Sequence, residues 1–238
     1  MEKPALKAVE RAIETMQRSL GDRLTIDDLA RSALFSKFHF SRVFQRATGT
    51  SPGRFLSALR LAEAKRLLLS TRATVADIGH QVGYNSIGTF SSRFSASVGV
   101  SPIMYRQLGG TVSQIPQHHK YRDATGAMLR GHVHLPHIKQ GAQVFLGLFP
   151  SRVSEGAPIR SAVLAGPGAY QLPEVPSGVW YLTAHAVDPA TGSTYVDCHG
   201  PFTTGSTGNA HPVDLRLRPV SPLDPPMLLA LPAERLAG

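Results

Sequence analysis

Apolar residues in the first part of the chain recur at the spacing of one helix face. Four of them stand at positions i, i+3, i+4 and i+7, namely Phe40, Val43, Phe44 and Ala47. Ser36 before this run is a typical N-cap residue, and Gly49 after it is a typical helix stop. Upstream, Thr25 with Asp28 three residues later predicts the start of another helix, which runs to about Ala33. Two short helices joined by a tight turn are typical of a helix-turn-helix unit.

The same pattern occurs a second time further along the chain. Six residues have identical counterparts 50 positions later, namely Phe40, Ser41, Phe44, Gly49, Ser51 and Pro52. Thr74 and Asp77 repeat the N-terminal capping pair at an offset of 49. The second copy therefore predicts helices at about 74–82 and 86–98, with Gly83 in the turn between them.

A long apolar stripe joins the two copies. Residues 51–71 begin with Ser-Pro and predict one helix of roughly 16 residues, or ~24 Å at 1.5 Å per residue. Successive major-groove faces on one side of B-DNA lie ~34 Å apart, so two such units on a stiff helix suit adjacent groove segments. Arg60, Lys65 and Arg66 on this helix are interpreted as a solvated face, with phosphate contact as the alternative.

From Leu129 the pattern changes to short apolar or alternating runs separated by Gly and Pro. The runs are GHVHLP, AQVFLGLF, IRSAVLAG, GAYQLPEV, GVWYLTAHAV, STYVDC and PVDLRLRPV. Fifteen of the 18 prolines follow residue 110, and proline is excluded from helix interiors and central strands. Seven short runs so spaced predict an antiparallel β-sandwich. The chain is thus predicted to be multidomain, α and β: an all-α double helix-turn-helix domain at 1–110, a linker at 111–126 and a β-sandwich at 127–238.

The formal net charge of +9 is unevenly distributed, with +8 in residues 1–110 and +1 in residues 111–238. A basic domain indicates an anionic partner, and nucleic acid is favoured over a membrane because no amphipathic Trp or Leu stripe accompanies the charge. The single Cys198 cannot close an intramolecular disulfide, and the charged N-terminus does not resemble a secretion signal. We therefore expect a cytoplasmic protein without a membrane segment.

The second helix of the first copy carries side chains suited to DNA on its outward face. These outward residues are Lys37, Phe38, Ser41, Arg42 and Gln45, with Arg46 nearby. Such side chains bond purine edges, touch a thymine methyl group or neutralise phosphates. No Asp or Glu occurs from residue 37 to residue 60, whereas a solvated helix face normally includes acidic residues. A helical bundle with a structural or protein-binding role is the alternative interpretation.

A closing motif Gly-x-Ser-Pro-x-x-Tyr-Arg follows the second copy, from Gly99 to Arg106. Together with the stretches 29–71 and 74–108, this motif resembles the AraC/XylS family of bacterial transcription regulators, over roughly residues 5–108. The resemblance implies sequence-specific binding to double-stranded promoter DNA through both second helices. It also implies control of transcription by contact with RNA polymerase or by occupying its site. The base-facing residues that it implies are Phe38, Ser41, Arg42, Gly88 and Ser92.

Two departures from the family pattern change this expectation. Leu34 stands where the first turn often has glycine, so we expect that turn to use a conformation that a side chain tolerates. The second helix of the second copy offers small or apolar residues, namely Ile87, Gly88, Ser91 and Ser92. Base discrimination is therefore expected mainly from the first copy, with phosphate anchoring and shape readout from the second. The complete predicted DNA-binding set is Ser36, Lys37, Phe38, Ser41, Arg42, Gln45, Arg46, Ser86, Gly88, Thr89, Ser92, Arg93 and Arg106.

The second half contains a stretch, residues 168–188, that is similar to carboxypeptidase-regulatory or transthyretin-like domains. We expect this half to sense a small-molecule effector, dock a partner or mediate self-association. His132 and His134 alternate on one strand at a spacing that suits zinc or copper, but the sequence fixes no third ligand, so surface histidines are favoured. Cys198 and His199 are adjacent on a strand and point to opposite faces, which excludes a nucleophile-base pair. We predict no catalytic residue, no metal and no cofactor.

These patterns together predict a sequence-specific DNA-binding transcriptional regulator of the AraC/XylS type. An alternative from a different class is a DNA-modifying or repair enzyme that uses the same DNA-binding unit. Such an enzyme needs a reactive cysteine or a metal set in the second half. A purely architectural protein, which binds DNA without sequence preference, is the other alternative.

Overall fold

The computed structural model describes residues 3–116, 118–121, 125–135, 142–205 and 212–232. The chain divides into two units by its internal contacts. Of the described residues, those up to Ser113 together with Ser221–Pro232 form the helical unit, and those from Gln114 to Val220 form the β unit.

The described part of the helical unit contains seven α-helices. They are α1 (Lys3–Arg18), α2 (Ile26–Ser32), α3 (Lys37–Thr48), α4 (Pro52–Ser70), α5 (Val75–Gln81), α6 (Ile87–Val98) and α7 (Pro102–Gln107). The predicted helix pairs are confirmed as α2 with α3 and α5 with α6. The joining helix α4 has 19 residues, or about 28 Å at 1.5 Å per residue, and is therefore longer than the 16 residues predicted.

Both copies begin with the same capping box. The Thr25 hydroxyl oxygen accepts a hydrogen bond from the Asp28 N–H at 3.2 Å, and the Asp28 carboxylate accepts one from the Thr25 N–H at 3.0 Å. Thr74 and Asp77 repeat this exchange at 3.1 and 3.2 Å. The bonds satisfy N–H groups that the helix itself leaves unpaired, which fixes the start of each unit.

The turn of the first copy differs from its prediction. Leu34 adopts a left-handed backbone conformation with φ of 60°, as Gly83 does in the second copy with φ of 85°. The expectation that Leu34 avoids the glycine conformation is therefore wrong. The physical reason is the hydrogen bonding of the turn, in which the Phe35 N–H bonds the Ala30 carbonyl at 2.9 Å, and the second copy makes the equivalent bond at the same length. The turn geometry takes precedence over the steric preference of the side chain.

Aromatic rings form the core of each copy. Phe40 and Phe44 of α3 are fully buried, as are Phe90 and Phe94 of α6. In the first copy, Phe44 meets Phe55 of α4 edge to face with ring centroids 5.4 Å apart. The second copy repeats this contact with α7 at 5.7 Å. Burial of these rings leaves the opposite faces of α3 and α6 toward solvent.

Eight strands form two sheets in the described part of the β unit. They are β1 (Ala127–His134), β2 (Val144–Phe149), β3 (Arg160–Leu164), β4 (Gly168–Val175), β5 (Gly178–Val187), β6 (Thr194–Thr204), β7 (Leu215–Arg216) and β8 (Arg218–Pro219). One sheet has the order β4-β1-β7 and the other β3-β2-β5-β6-β8. All seven predicted apolar runs contain a strand, and the last run is divided into β7 and β8.

Residues of both sheets contribute to one hydrophobic cluster. Leu129 of β1 and Leu172 of β4 belong to this cluster together with Leu146 of β2 and Leu182 of β5. Trp180 is buried among them, and its indole N–H donates to the Pro176 carbonyl and the Thr204 hydroxyl, each at 3.0 Å.

The C-terminal boundary predicted for the second domain, 127–238, differs from the one in the structure. Residues 221–232 belong to the helical unit. The reason is their apolar run, in which Leu228, Leu229 and Ala230 are buried in that unit.

Candidate nucleic-acid interface

The outward face of α3 carries most of the predicted DNA-binding residues. Ser36 caps the helix by accepting a hydrogen bond from the His39 N–H at 3.4 Å. Phe38, in the first turn, has 82% of its surface exposed, although phenylalanine is normally buried. Exposed cationic and polar side chains accompany it, namely Lys37, Arg42, Gln45 and Arg46. The face therefore presents three cations and one aromatic ring to solvent.

Two predicted residues of α3 already have partners. The Lys37 ammonium lies 3.2 Å from a carboxylate oxygen of Asp27 on α2, with about half of each side chain exposed. Exposed ion pairs contribute ~0–1 kcal/mol, so a phosphate can replace Asp27 at small cost. Ser41 is half-buried, and its hydroxyl donates to the Lys37 carbonyl at 2.8 Å, which reduces its availability to a base.

The outward face of α6 carries smaller side chains and fewer charges than that of α3. Ser86 caps this helix by accepting from the Thr89 N–H at 3.4 Å, and Gly88, Thr89 and Ser92 are exposed. A Cβ atom added at Gly88 would meet only the Ser86 hydroxyl oxygen, at 3.7 Å. Arg93 is half-buried. The surface of α6 beside Gly88 is therefore open.

Arg106 of α7 bonds main-chain carbonyls in the structure. Its Nε donates to the Leu68 carbonyl at 2.9 Å and its Nη2 to the Ala73 carbonyl at 2.7 Å. One of these carbonyls belongs to the last turn of α4, where helical partners are lacking, and the other to the segment between α4 and α5. Contact between Arg106 and a phosphate stays a prediction.

The long helix α4 also differs from the solvated face that was expected. The guanidinium of Arg60 donates to the carbonyls of Leu20 at 2.9 Å and Asp22 at 2.7 Å. The Lys65 ammonium is largely buried and donates to main-chain carbonyls of residues 227–229. Arg66 is the exposed member and bonds Glu63 at 2.7 Å.

Close backbone contacts set the placement of the two copies relative to each other. A Cβ atom at Gly21 would lie 2.8 Å from the Gln81 carbonyl oxygen, and one at Gly83 would lie 2.6 Å from the Leu20 carbonyl oxygen. The loop before α2 therefore touches the turn between α5 and α6. Arg60 lies at this junction, because a Cβ atom added at Gly83 would lie 2.8 Å from its guanidinium group. Sequence reasoning missed the junction because its signal is a pair of glycines far apart in the chain.

In the β unit, the candidate side chains for metal binding or catalysis are His132, His134 and Cys198. The rings of His132 and His134 lie 4.7 Å apart between centroids, and both side chains are exposed. Among the described residues, no group of three or more His, Cys, Asp or Glu side chains is placed to hold a metal ion. Cys198 is half-buried, and its sulfur accepts a hydrogen bond from the Thr183 hydroxyl at 3.6 Å. Within the described ranges, no helix is long and apolar enough to cross a membrane.

A family model described as a helix-turn-helix domain matches residues 29–108. The HTH-type transcriptional activator AarP of Providencia stuartii is 34% identical over 91 residues, which cover 38% of this chain and 67% of that protein. The chain belongs to the AraC/XylS family of helix-turn-helix regulators. The MmsAB operon regulatory protein of Pseudomonas aeruginosa is 38% identical over 92 residues, which cover 39% of this chain and 30% of that protein.

Among solved structures, the chain is similar to a transcriptional regulator from Chromobacterium violaceum with an AraC-type DNA-binding domain. The identity is 27% and the TM-score 0.42, over 43% of this chain and 92% of that chain. The residues matched by the family model lie inside the helical unit, so the AraC/XylS assignment describes that unit.

Proposed function

We propose that the chain binds promoter DNA in a sequence-specific manner and regulates transcription, with α3 and α6 in adjacent major-groove segments. The observation that carries the proposal is the exposed face of α3. Three cations and an exposed aromatic ring occupy the part of a helix-turn-helix that contacts base edges. The alternative of a structural helical bundle gives no reason for exposing Phe38 to water.

The first copy is the main reader in this proposal. Arg42 is exposed one helical turn after Phe38, and a guanidinium can bond guanine O6 and N7 together. Phe38 offers no hydrogen bond, so the feature it matches in the major groove is the thymine methyl group. Lys37, Gln45 and Arg46 complete the contacts to bases and phosphates, with Ser36 at the capped N-terminus. Ser41 is a secondary contact because its hydroxyl already bonds the Lys37 carbonyl.

The second copy anchors the protein and reads DNA shape. Gly88 and Ser92 let α6 approach the groove closely, while Ser86, Thr89 and Arg93 supply hydrogen bonds and charge for phosphates. Arg106 is a secondary phosphate contact in this proposal, because two of its donors already bond the Leu68 and Ala73 carbonyls.

The β unit is the regulatory part of the proposed molecule. Its two sheets and their common core support a β-sandwich similar to carboxypeptidase-regulatory or transthyretin-like domains. A depression of about 460 Å³ beside Arg130, His132 and Gln171 is a candidate position for a small-molecule effector. Self-association and contact with RNA polymerase are further roles to test. Regulation is favoured over DNA modification, because the relatives that match the helical unit are named as transcriptional activators or regulators.

The test is selection from random duplexes by the full chain, followed by fluorescence anisotropy with the selected operator. We expect one enriched sequence and an affinity that falls steeply with salt, because phosphates are neutralised. Arg42→Ala should weaken operator binding by about 1–3 kcal/mol, whereas Arg11→Ala on the exposed face of α1 is the matched control. Equal binding to all duplexes would favour the architectural alternative. Chemical change in the operator, measured by mass spectrometry of the recovered strands, would favour the enzyme.

A further inference from the structure

The last described residues of the chain form a strap across the helical unit. The strap is residues 221–232, which follow the β unit in sequence but pack with the helices. Ser221 and Asp224 order its start, because the Asp224 carboxylate accepts from both the N–H and the hydroxyl of Ser221, at 2.9 and 3.0 Å. Leu223 then packs against the core of the first copy.

Main-chain hydrogen bonds attach the second half of the strap. The Ala230 N–H donates to the Val98 carbonyl at 2.9 Å, and the Val112 N–H donates to the Leu231 carbonyl at 3.1 Å. Val98 is the last residue of α6, so the strap reaches the helix proposed to enter the second groove segment. The buried side chains of Leu228 and Leu229 accompany these bonds.

Lys65 binds the strap from the middle of α4. Its ammonium donates to the carbonyls of Met227 at 3.2 Å, Leu228 at 2.9 Å and Leu229 at 3.5 Å. An ammonium group has three donors, and here three main-chain acceptors surround it. Since α4 joins the two copies, the strap contacts the first copy, the joining helix and the second copy in turn.

The strap also brings the chain back to the helical unit. The chain leaves the helical unit after residue 113 and returns to it at residue 221. The β unit is therefore inserted between α7 and the strap. The residue before the strap is held in the β unit, where the Val220 N–H donates to the Thr194 carbonyl at 3.1 Å. The strap therefore begins directly after a residue that is bonded to β6.

We propose that residues 221–232 are the regulatory strap of this protein, which holds α6 relative to α3 and through which the β unit controls DNA affinity. The proposal rests on the function proposed above. Fixing two reading helices before binding removes an ordering cost, so a seated strap raises affinity for a duplex that both helices contact. Loosening the strap leaves the first copy able to bind alone.

The test compares Lys65→Met, which keeps the buried stem but removes the three donors, with Lys7→Met on the exposed face of α1. Two duplexes are used: the operator selected by the wild type, and a shortened one that ends before the half contacted by α6. For Lys65→Met we expect a loss of about tenfold on the full operator and less than about twofold on the short one. Lys7→Met should keep the wild-type ratio of the two affinities.

A second variant and a readout without DNA complete the test. A chain ending at residue 220 should show the same loss, and a synthetic peptide of residues 220–232 should restore binding. Amide hydrogen exchange of α6 should be faster in Lys65→Met than in the wild type. Wild-type affinity ratios and unchanged exchange in both variants would overturn the proposal. If the wild type selects no sequence, the proposed function fails, and amide exchange alone then decides whether the strap holds α6.

Discussion

Arg60 and Arg106 make the same pair of hydrogen bonds in the two halves of the repeat. Each uses Nε and Nη2 to bond two carbonyls, at 2.9 and 2.7 Å in both cases. Arg60 on α4 bonds the loop before α2, and Arg106 on α7 bonds the last turn of α4 and the segment that joins α4 to α5. Each arginine thus connects the helix that follows a helix-turn-helix unit to the chain that precedes it.

Replacing either arginine should destabilise the helical unit. Arg106→Ala leaves two carbonyls without their charged donor, and we expect a loss of about 1–3 kcal/mol in the free energy of unfolding. Arg60→Ala should cost a similar amount, and Lys should rescue neither because it lacks the planar fork. Thermal unfolding followed by circular dichroism measures this loss, with the exposed Arg18→Ala as the control. An unchanged midpoint for both variants would contradict the assigned role.

Leu34→Gly should stabilise the protein. The left-handed conformation costs a residue with a side chain ~1–2 kcal/mol, and glycine avoids this cost. The larger conformational entropy of glycine in the unfolded chain offsets part of the gain. We expect a net gain of about 0.5–1 kcal/mol in denaturant unfolding. The opposite change, Gly83→Ala, should destabilise, because its Cβ would lie 2.6 Å from the Leu20 carbonyl oxygen. A loss of stability in Leu34→Gly would show that the exposed leucine contributes contacts of its own.

Gly88→Ala should separate stability from DNA binding. The added methyl group has open space beside it, so helix propensity should raise stability, by less than about 1 kcal/mol because Gly88 lies in the first turn of α6. Under the proposed function the same methyl group lies between α6 and the groove, so operator affinity should fall. Unfolding and anisotropy on the same preparation measure both effects. Higher stability together with unchanged affinity would place α6 further from the duplex.

Phe38 should read thymine through its methyl group. In the selected operator, replacing single thymines by deoxyuridine removes that methyl and nothing else. We expect one position at which the wild type loses about 1 kcal/mol and Phe38→Ala loses nothing. Phe202→Ala in the β unit serves as an aromatic control that leaves this pattern intact. If every thymine can be replaced without effect, the exposed ring has another role.

Lys65 should make stability depend on pH in the alkaline range. Burial lowers the pKa of Lys65 to about 8 from its ordinary 10.5. Between these two values the unfolded chain binds the proton and the folded chain does not, so stability rises with pH. We therefore expect the difference in unfolding free energy between the wild type and Lys65→Met to shift in favour of the wild type from pH 8 to pH 10.5. A difference that stays constant with pH would mean that the folded state keeps Lys65 charged.

The parts of the fold that sequence analysis predicted depend on local signals. Thr25 with Asp28, and Thr74 with Asp77, start helices in the structure as their capping pattern predicts. Alternating apolar runs likewise became strands of the β unit. Phe38 was predicted to face outward because Phe40 and Phe44 occupy the inner face, and its exposure of 82% confirms this.

The parts that were missed depend on contacts between distant residues. The cationic side chain of Arg106 is typical of a phosphate contact. Nothing nearby in sequence indicates that it donates hydrogen bonds to the Leu68 and Ala73 carbonyls. Lys65 was interpreted as solvated because its partners follow it by more than 160 residues. The capture of residues 221–232 by the helices follows the same rule, since an apolar run predicts burial but not the partner.

The insertion of the β unit orders events during synthesis. Translation proceeds from the N-terminus at roughly 5–20 residues per second, so α6, which ends at Val98, leaves the ribosome roughly 6–25 s before residue 221 does, and α3 leaves earlier still. A nascent chain at that stage already contains both helices but lacks residues 221–232. The helical unit is therefore completed only after residues 114–220 have been translated, and under the proposals above tight binding to an operator waits for residues 221–232.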